Sequence, residues 1–171
     1  MHKHGIHSNN VIIPQVTDPA LWGTLTTGAW CYYDNDPLTE AVYGKMYNWY
    51  AVNDPRGLAP LGYHIPTKTE WLTLQTYLGG QGAAGKKMKE VGTTHWIAPN
   101  NATNESGFTG LPGGYRHFSG SYSPLGYSGL WWSSTNDGIN NAWNSVLDNS
   151  DSLIMNLRNK VYGLSVRLVK D

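Results

Sequence analysis

The clearest element of this sequence is residues 67–80, which read TKTEWLTLQTYLGG. Thr67 and Glu70 have the spacing of a capping box, in which each side chain satisfies a free backbone amide at the helix start. Apolar residues then recur at helical spacing before a glycine pair that is typical of a helix end: Trp71, Leu74 and Leu78. The stretch predicts the main helix over Thr67 to Leu78, with Trp71 buried.

Two shorter helices are predicted on either side of it. Asp18 can cap a helix whose first residue is a proline, where the missing amide costs nothing, and this helix ends near Leu25. A third helix is expected over Ala83 to Val91, with Met88 and the final valine facing inward. Its lysines are expected to stay solvated: Lys86, Lys87 and Lys89.

From Asn100 onward, Gly, Ser, Asn, Tyr and Trp dominate, and short stretches alternate between apolar and polar residues. Four strands are predicted there: Leu130 to Ser134, Ala142 to Asp148, Ser152 to Leu157 and Gly163 to Val169. Helices followed by strands indicate an α+β fold with an antiparallel sheet. Residues 12–171 are expected to form one domain, preceded by a flexible segment over residues 1–11.

The composition disfavours several classes of partner. Twelve Lys and Arg balance twelve Asp and Glu, so the formal charge is zero and we expect no nucleic acid partner. No apolar run approaches the roughly 18 residues of a membrane span, and no signal peptide is recognisable, so no membrane insertion is expected. Eight Trp and eleven Tyr against two Phe favour surfaces that make both apolar and polar contacts.

No residue pattern predicts catalysis, a cofactor or a metal site. Cys31 is the single cysteine and has no neighbouring base, so it is interpreted as a buried, inert thiol. Asp34 and Asp36 lack the glycine and glutamate of a calcium loop and are interpreted as part of a turn. The N-terminal histidines have no carboxylate or cysteine beside them, so they are not interpreted as a metal site: His2, His4 and His7. The other histidines are interpreted as hydrogen-bonded structural residues: His64, His95 and His117.

Many short motifs occur together in the order and spacing of one family. They include Tyr43-Gly44-Lys45-Met46-Tyr47-Asn48-Trp49, Gly62-Tyr63-His64-Ile65-Pro66-Thr67, Leu111-Pro112-Gly113-Gly114-Tyr115-Arg116 and Trp132-Ser133-Ser134-Thr135. On these residues the chain resembles the Fibrobacter succinogenes major paralogous domain family over about Ile12 to Asp171. That family is similar to the C-type lectin fold, in the branch shared with formylglycine-generating (sulfatase-modifying) enzymes and the variable proteins of diversity-generating retroelements.

The resemblance implies a C-type-lectin-like scaffold that displays loops at a cell surface, outside the cell or on a virion. Two departures from the family pattern matter. The usual opening strand with a Trp-x-x-x-Asn-Leu signature is missing ahead of His7, which puts the pairing of the first and last strands in doubt. Leu168 stands where relatives often carry a cysteine. The disulfide that some relatives could form between that cysteine and an upstream one is therefore not available to Cys31.

The resemblance also suggests where a ligand binds. In the similar retroelement proteins, the stretch after Trp-Ser-Ser is diversified at asparagine codons, and Asn supplies seven of the 24 residues from Asn136 to Asn159. Asn is also a common turn former, so an ordinary tolerant turn is the alternative. The candidate ligand-binding residues are Asn136, Asp137, Ile139, Asn140, Asn141, Asn144, Val146, Asp148, Leu153, Met155 and Leu157.

The third predicted strand contains more apolar residues than one inward face can use. If Ile154 faces the core, the strand period of two sends Leu153, Met155 and Leu157 outward, where they would form an apolar patch. The opposite register would bury those three and expose Ile154. We favour the first, because relatives that this stretch resembles carry an apolar residue at 154 and polar or variable residues beside it.

The expected function is non-enzymatic recognition of a protein or glycan, or of a neighbouring copy of the chain, above a core fixed by Trp71, Trp132 and Trp143. Three alternatives differ in class. A formylglycine-generating enzyme would need two cysteines, and a calcium-dependent lectin would need a carboxylate that Ala98-Pro99-Asn100 lacks. A purely structural module would have no compact ligand footprint. Sugar binding by Trp and Tyr stacking without calcium stays open.

Overall fold

The computed structural model describes residues 12–171, so the segment 1–11, expected to be flexible, and its histidines lie outside the described residues. The helices are α1 (Pro19–Trp22), α2 (Glu40–Tyr43), α3 (Trp49–Val52), α4 (Lys68–Tyr77) and α5 (Gln81–Met88). The strands are β1 (Trp30–Cys31), β2 (Met46–Tyr47), β3 (Tyr63–His64), β4 (Gly129–Asp137), β5 (Asn141–Leu147), β6 (Leu153–Asn159) and β7 (Val169–Lys170). The α+β class predicted from the sequence is confirmed.

The predicted main helix is α4, and its capping box is confirmed. The Glu70 amide donates to Thr67 Oγ1 at 3.2 Å, while the Glu70 carboxylate accepts from the Thr67 amide at 2.8 Å. Trp71 is 2% exposed. These contacts are local in the chain, which explains why the sequence predicts this helix well. The other predicted cap, Asp18, accepts from the Ala20 amide at 2.8 Å, although α1 ends earlier than expected.

Three strands form the central sheet in the order β4-β5-β6, antiparallel throughout. Two-stranded pairs form elsewhere, β1 with β2 and β3 with β7. The fourth predicted strand is largely wrong, because only Val169–Lys170 is a strand and it pairs with β3 outside the central sheet. The segment before it contacts β4 through one bridge, that of Ser165 with Trp131.

Both faces of the central sheet are covered. On one face, Leu130, Trp132 and Val146 pack in a cluster that also contains Trp49 and Leu164. On the other face, the cluster joins the sheet to α4 and α5: Trp71, Leu78, Ala84, Met88, Trp96, Trp131, Leu147 and Leu153. The sheet is therefore the middle layer of the domain.

The expected outward row on β6 is wrong. Leu153 is fully buried, and Met155 packs half-buried against the cluster under α4 and α5. Leu157 is also half-buried, and Ile154 packs against the opposite cluster. Alternation along a strand separates two faces, but it does not say that one of them is solvent. Here both faces are packed, so neither register produces an exposed apolar row.

Three expectations at the periphery of the core are also corrected. Lys89 is 1% exposed, because α5 ends at Met88 and the lysine chain turns inward, where Nζ donates to Asp148 O at 3.0 Å and Ser150 O at 2.7 Å. Val91, expected inside, is exposed beyond the helix end. Trp143 is half-buried rather than part of the core, with the Lys68 ammonium 3.3 Å from its ring centroid.

Candidate functional site

The ligand-binding residues predicted from the sequence do not form one continuous surface. Four are exposed around the β4–β5 turn: Asn136, Asp137, Ile139 and Asn140. Four are half-buried: Asn141, Asp148, Met155 and Leu157. Three are buried within the sheet: Asn144, Val146 and Leu153. Asp148 lies in the β5–β6 turn, at the opposite end of the sheet from the exposed group.

The β4–β5 turn is held by the lysine that follows β6. Lys160 is buried, its Nζ donates to Gly138 O at 2.7 Å and to Ile139 O at 2.9 Å, and its amide donates to Asn140 O at 2.8 Å. The turn carbonyls are therefore bound inward, while Ile139 is 88% exposed. This turn is a fixed support for outward side chains.

A second surface, which the sequence did not predict, lies beside this sheet. We call it the aromatic platform and define it as Tyr115, His117, Phe118 and Tyr162. Arg116 and Gly163 are bridged antiparallel, so residues on either side of Arg116 stand next to Tyr162. Because side chains alternate along extended chain, Tyr115 and His117 face one way while Arg116 points into the core.

The rings of the platform are in mutual contact, with Tyr162 at the centre. Its ring centroid lies 5.7 Å from that of Tyr115, 4.9 Å from that of His117 and 5.8 Å from that of Phe118. Phe118 is 48% exposed, and the other three are half-buried. Such tilted and edge contacts between rings are the arrangements that aromatic pairs prefer, so the platform is a preformed surface.

Arg116 anchors the platform from below. Its side chain is fully buried and donates to Val16 O at 2.7 Å, Thr17 O at 2.9 Å and Gly120 O at 3.2 Å. The guanidinium carbon lies 4.3 Å from the Trp22 ring centroid. A buried cation held by carbonyls and a ring fixes the loop that carries Tyr115, His117 and Phe118.

Arg158 of β6 adds a positive charge at the margin of the platform. Its guanidinium carbon lies 5.8 Å from the Tyr162 ring centroid and 6.0 Å from that of Tyr115. Its cross-strand partner is Ala142, and beyond that residue, in the same row, is the exposed Asn136. Since neighbouring strands are about 4.8 Å apart, the predicted turn begins roughly 10 Å from the arginine.

Burial governs the titration of the tyrosine and thiol groups near this surface. It raises the pKa of Tyr162, and to a smaller extent the neighbouring Arg158 charge acts against that shift. Burial likewise raises the pKa of Cys31, which lies in the cluster beside Trp22. Both groups are therefore neutral near pH 7, and the guanidinium is the charge that this surface presents.

The histidines of the described chain are hydrogen-bonded, as expected. His64 Nδ1 lies 2.7 Å from Asp171 Oδ1 and its Nε2 lies 2.8 Å from Glu70 Oε1, and these acceptors raise its pKa. His95 contacts the Glu90 carboxylate at 2.9 Å, and His117 Nδ1 lies 2.8 Å from Ser119 Oγ. Among residues 12–171, no group of three or more His, Cys, Asp or Glu side chains is placed to hold a metal ion.

Sequence reasoning missed the platform because its parts are distant in the chain. Alternation across Tyr115, Arg116 and His117 is visible in the sequence and could have separated one buried residue from two outward ones. Nothing local, however, indicates that Tyr162 stands beside them. Arg158 lies inside the stretch chosen for ligand binding, yet an arginine between Leu157 and Asn159 gives no sign that it lacks an acidic partner.

The fold and this surface define a small α+β domain in which a fixed sheet supports an exposed turn and a cluster of rings. The chain belongs to the family described as the Fibrobacter succinogenes major domain, which matches residues 5–170 and confirms the resemblance. No curated protein and no solved structure matches it. In the part of the chain that is described, no helix has the length and apolar character needed to cross a membrane.

Proposed function

We propose that this chain is a non-enzymatic recognition domain that binds a glycan on the aromatic platform. The observation that carries the proposal is a set of four contacting rings, fixed from below by Arg116 and accessible from outside through Phe118. The C–H groups on one face of a sugar ring carry partial positive charge and match the negative face of an aromatic ring. Stacking of this kind needs no metal.

The proposal includes the scaffold and its location. We propose a C-type-lectin-like fold displayed at a cell surface, outside the cell or on a virion. Membership of the family supports this proposal. The long segment 89–128 between α5 and β4 also supports it, because it contains only isolated β-bridges and no helix or longer strand. Such segments commonly carry binding residues on a rigid scaffold.

The exposed β4–β5 turn gives the predicted residues a role in this proposal. Asn136 shares a sheet row with Arg158, and Ile139 and Asn140 stand exposed beyond it. Residues there can change without disturbing the core, because Lys160 holds the turn through backbone carbonyls alone. We propose that these side chains tune which ligand the platform accepts, and diversification by a retroelement would act there.

The condition of Cys31 supports recognition rather than the formylglycine-generating chemistry of similar proteins. That chemistry needs a pair of cysteines, and this chain has one. The thiol is fully buried, and burial raises its pKa, so it is a poor nucleophile near neutral pH.

A glycan panel followed by calorimetry on selected hits tests the proposal. Phe118→Ala and Tyr162→Ala should each weaken binding by about tenfold or more, since they remove stacking surface. The matched control is Tyr77→Ala on α4, because Tyr77 is 85% exposed on a helix that packs on the other face of the sheet. Binding that survives both platform substitutions, or is lost equally in the control, would exclude this surface.

A further inference from the structure

The platform contains a cation without an acidic partner. Arg158 forms no ion pair with any residue of the described chain, and its guanidinium makes one long hydrogen bond there, from Nη1 to Leu157 O at 3.5 Å. Most buried or half-buried arginines in folded proteins are paired or hydrogen-bonded, because desolvating a charge without compensation is costly. An unpaired guanidinium beside two tyrosine rings is therefore positioned to receive an anion.

Two buried polar atoms on the same face also lack hydrogen bonds. They are Nε of Arg158, a donor, and Oδ1 of Asn144, an acceptor on a side chain with no exposed surface. Asn144 stands opposite Asn156 in the ladder, and Arg158 is two residues further along β6, so the two atoms belong to diagonal neighbours. Buried groups without partners are few in native proteins, so two at diagonal positions make this part of the sheet unusual.

The three kinds of group here define a ligand. The rings offer a face for apolar C–H groups, and the planar guanidinium offers parallel donors for a carboxylate. The half-buried amide of Asn156, two residues before Arg158 on β6, is the nearest side chain of the strand that can reach a hydroxyl. One guanidinium balances one negative charge. A sugar that carries a carboxylate, a uronic acid, supplies the C–H face, the planar anion and the hydroxyls in a single ring.

We infer that the platform and Arg158 together form a subsite for a uronic acid residue of an acidic glycan, an inference that rests on the proposed glycan recognition. The sugar ring lies against Tyr162 and Phe118, and its carboxylate faces the terminal nitrogens of Arg158.

Calorimetry with the full chain tests the inference, using trigalacturonic acid and its fully methyl-esterified form as probes. The ester keeps the ring and hydroxyls but removes the charge. The acid should bind at least about tenfold tighter than the ester, because a guanidinium–carboxylate pair is charge-assisted and bidentate. In Arg158→Met the two probes should bind alike. Arg158→Lys keeps the charge but not the fork, so it should restore less than half of the lost preference.

The outcomes separate this inference from the proposal beneath it. Equal binding of acid and ester by the native chain would overturn the uronic acid subsite and leave glycan recognition standing. Binding of neither probe, together with an empty glycan panel, would overturn both. A stronger response to a sulfated disaccharide than to trigalacturonic acid would overturn the carboxylate assignment. If Arg158→Met does not fold, the ester comparison on the native chain still decides the question.

Discussion

Arg116 and Gly163 exchange two backbone hydrogen bonds of 2.8 Å each. This pair holds the loop that carries Tyr115, His117 and Phe118 against the segment that carries Tyr162. A side chain at residue 163 would be crowded, because a Cβ there would lie 3.0 Å from both Arg116 Cβ and Trp22 Cζ2. The aromatic platform therefore depends on a buried contact beneath it.

Removing the buried guanidinium should destabilise the domain. Arg116→Met removes the side-chain donors to the carbonyls of Val16 and Gly120, while Thr17 O keeps the Asn35 amide as a donor. We expect this loss to lower the free energy of unfolding by roughly 2–3 kcal/mol. Urea denaturation measures this difference. Lys87→Met is the matched control, since its ammonium pairs with Glu105 at the surface at 3.7 Å and such pairs contribute less than about 1 kcal/mol. Equal losses in the two variants would contradict the anchoring role.

The burial of Leu153 on β6 gives a second prediction. Leu153→Ala should cost roughly 2–5 kcal/mol by leaving a cavity between the sheet and the two longest helices. Ile139→Ala, in the exposed β4–β5 turn, should change stability by less than about 0.5 kcal/mol. Thermal melts of both variants give the comparison. If Leu153→Ala melts with the parent protein, the outward register first favoured for this strand would be restored.

The start of α4 and the orientation of β6 show what the sequence can and cannot predict. The start of α4 was predictable because Thr67 and Glu70 are three residues apart and satisfy each other's backbone. The orientation of β6 was not, because it depends on which distant elements cover each face. The prediction that Lys89 stays solvated was wrong for a similar reason, because the helical periodicity of the sequence continues past the residue where the helix ends. Local chemistry therefore predicted element type and caps, while long-range packing decided burial.

The candidate site likewise contains one part that the sequence predicts and one part that it does not. The exposure of Asn136, Ile139 and Asn140 follows from a polar turn between two strands, and the sequence predicted that turn. The platform brings Tyr115 beside Tyr162 only through the Arg116–Gly163 pairing, which no local signal encodes. The unpaired state of Arg158 is a property of its surroundings, so only the structure could identify it.

Substitutions of Trp71 test the packing of the core between the sheet and helices α4 and α5. It is nearly fully buried and meets Phe108 edge to face at 5.9 Å between ring centroids, so Trp71→Ala should cost roughly 3–5 kcal/mol. Its Nε1 has no hydrogen-bond partner, so Trp71→Phe should cost clearly less than the alanine variant. Leu72→Ala, more exposed on the same helix, is the control for helix propensity in denaturant melts. A similar loss in all three variants would show that α4 is not packed through Trp71.

The ion pairs of His64 predict a maximum in stability at mildly acidic pH. Hydrogen bonds to Asp171 and Glu70 raise the pKa of His64, so its contribution is present below about pH 6.5 and is lost as pH rises through the raised value. Bonds from the Thr67 backbone, with smaller ones from the Thr67 hydroxyl and His64, lower the pKa of Glu70. Its contribution is present above about pH 4.3 and is lost as pH falls through the lowered value.

Melting temperatures measured across this range check the prediction. The parent should lose stability on the alkaline side of the maximum, and His64→Gln should flatten that side while keeping most of the acid-side decline. The effect is modest because both side chains are partly exposed and screened by solvent. An alkaline-side decline that is identical in His64→Gln would assign it to other groups.

The rate at which the Cys31 thiol is labelled measures how often the buried cluster beneath the platform opens. Its thiol is fully buried and its pKa is raised by burial, so a disulfide reagent at pH 8 should label the native protein far more slowly than the unfolded chain. The thiol shares a cluster with Trp22, against whose ring Arg116 lies, so labelling requires that this cluster open. Arg116→Met should therefore speed labelling, by up to about a hundredfold if the whole domain must unfold and the loss of stability is near 3 kcal/mol. Lys87→Met should leave the labelling rate close to that of the parent. Rapid labelling of the native parent would show that Cys31 is accessible, and an unchanged rate in Arg116→Met would separate the thiol from the contact that holds the platform.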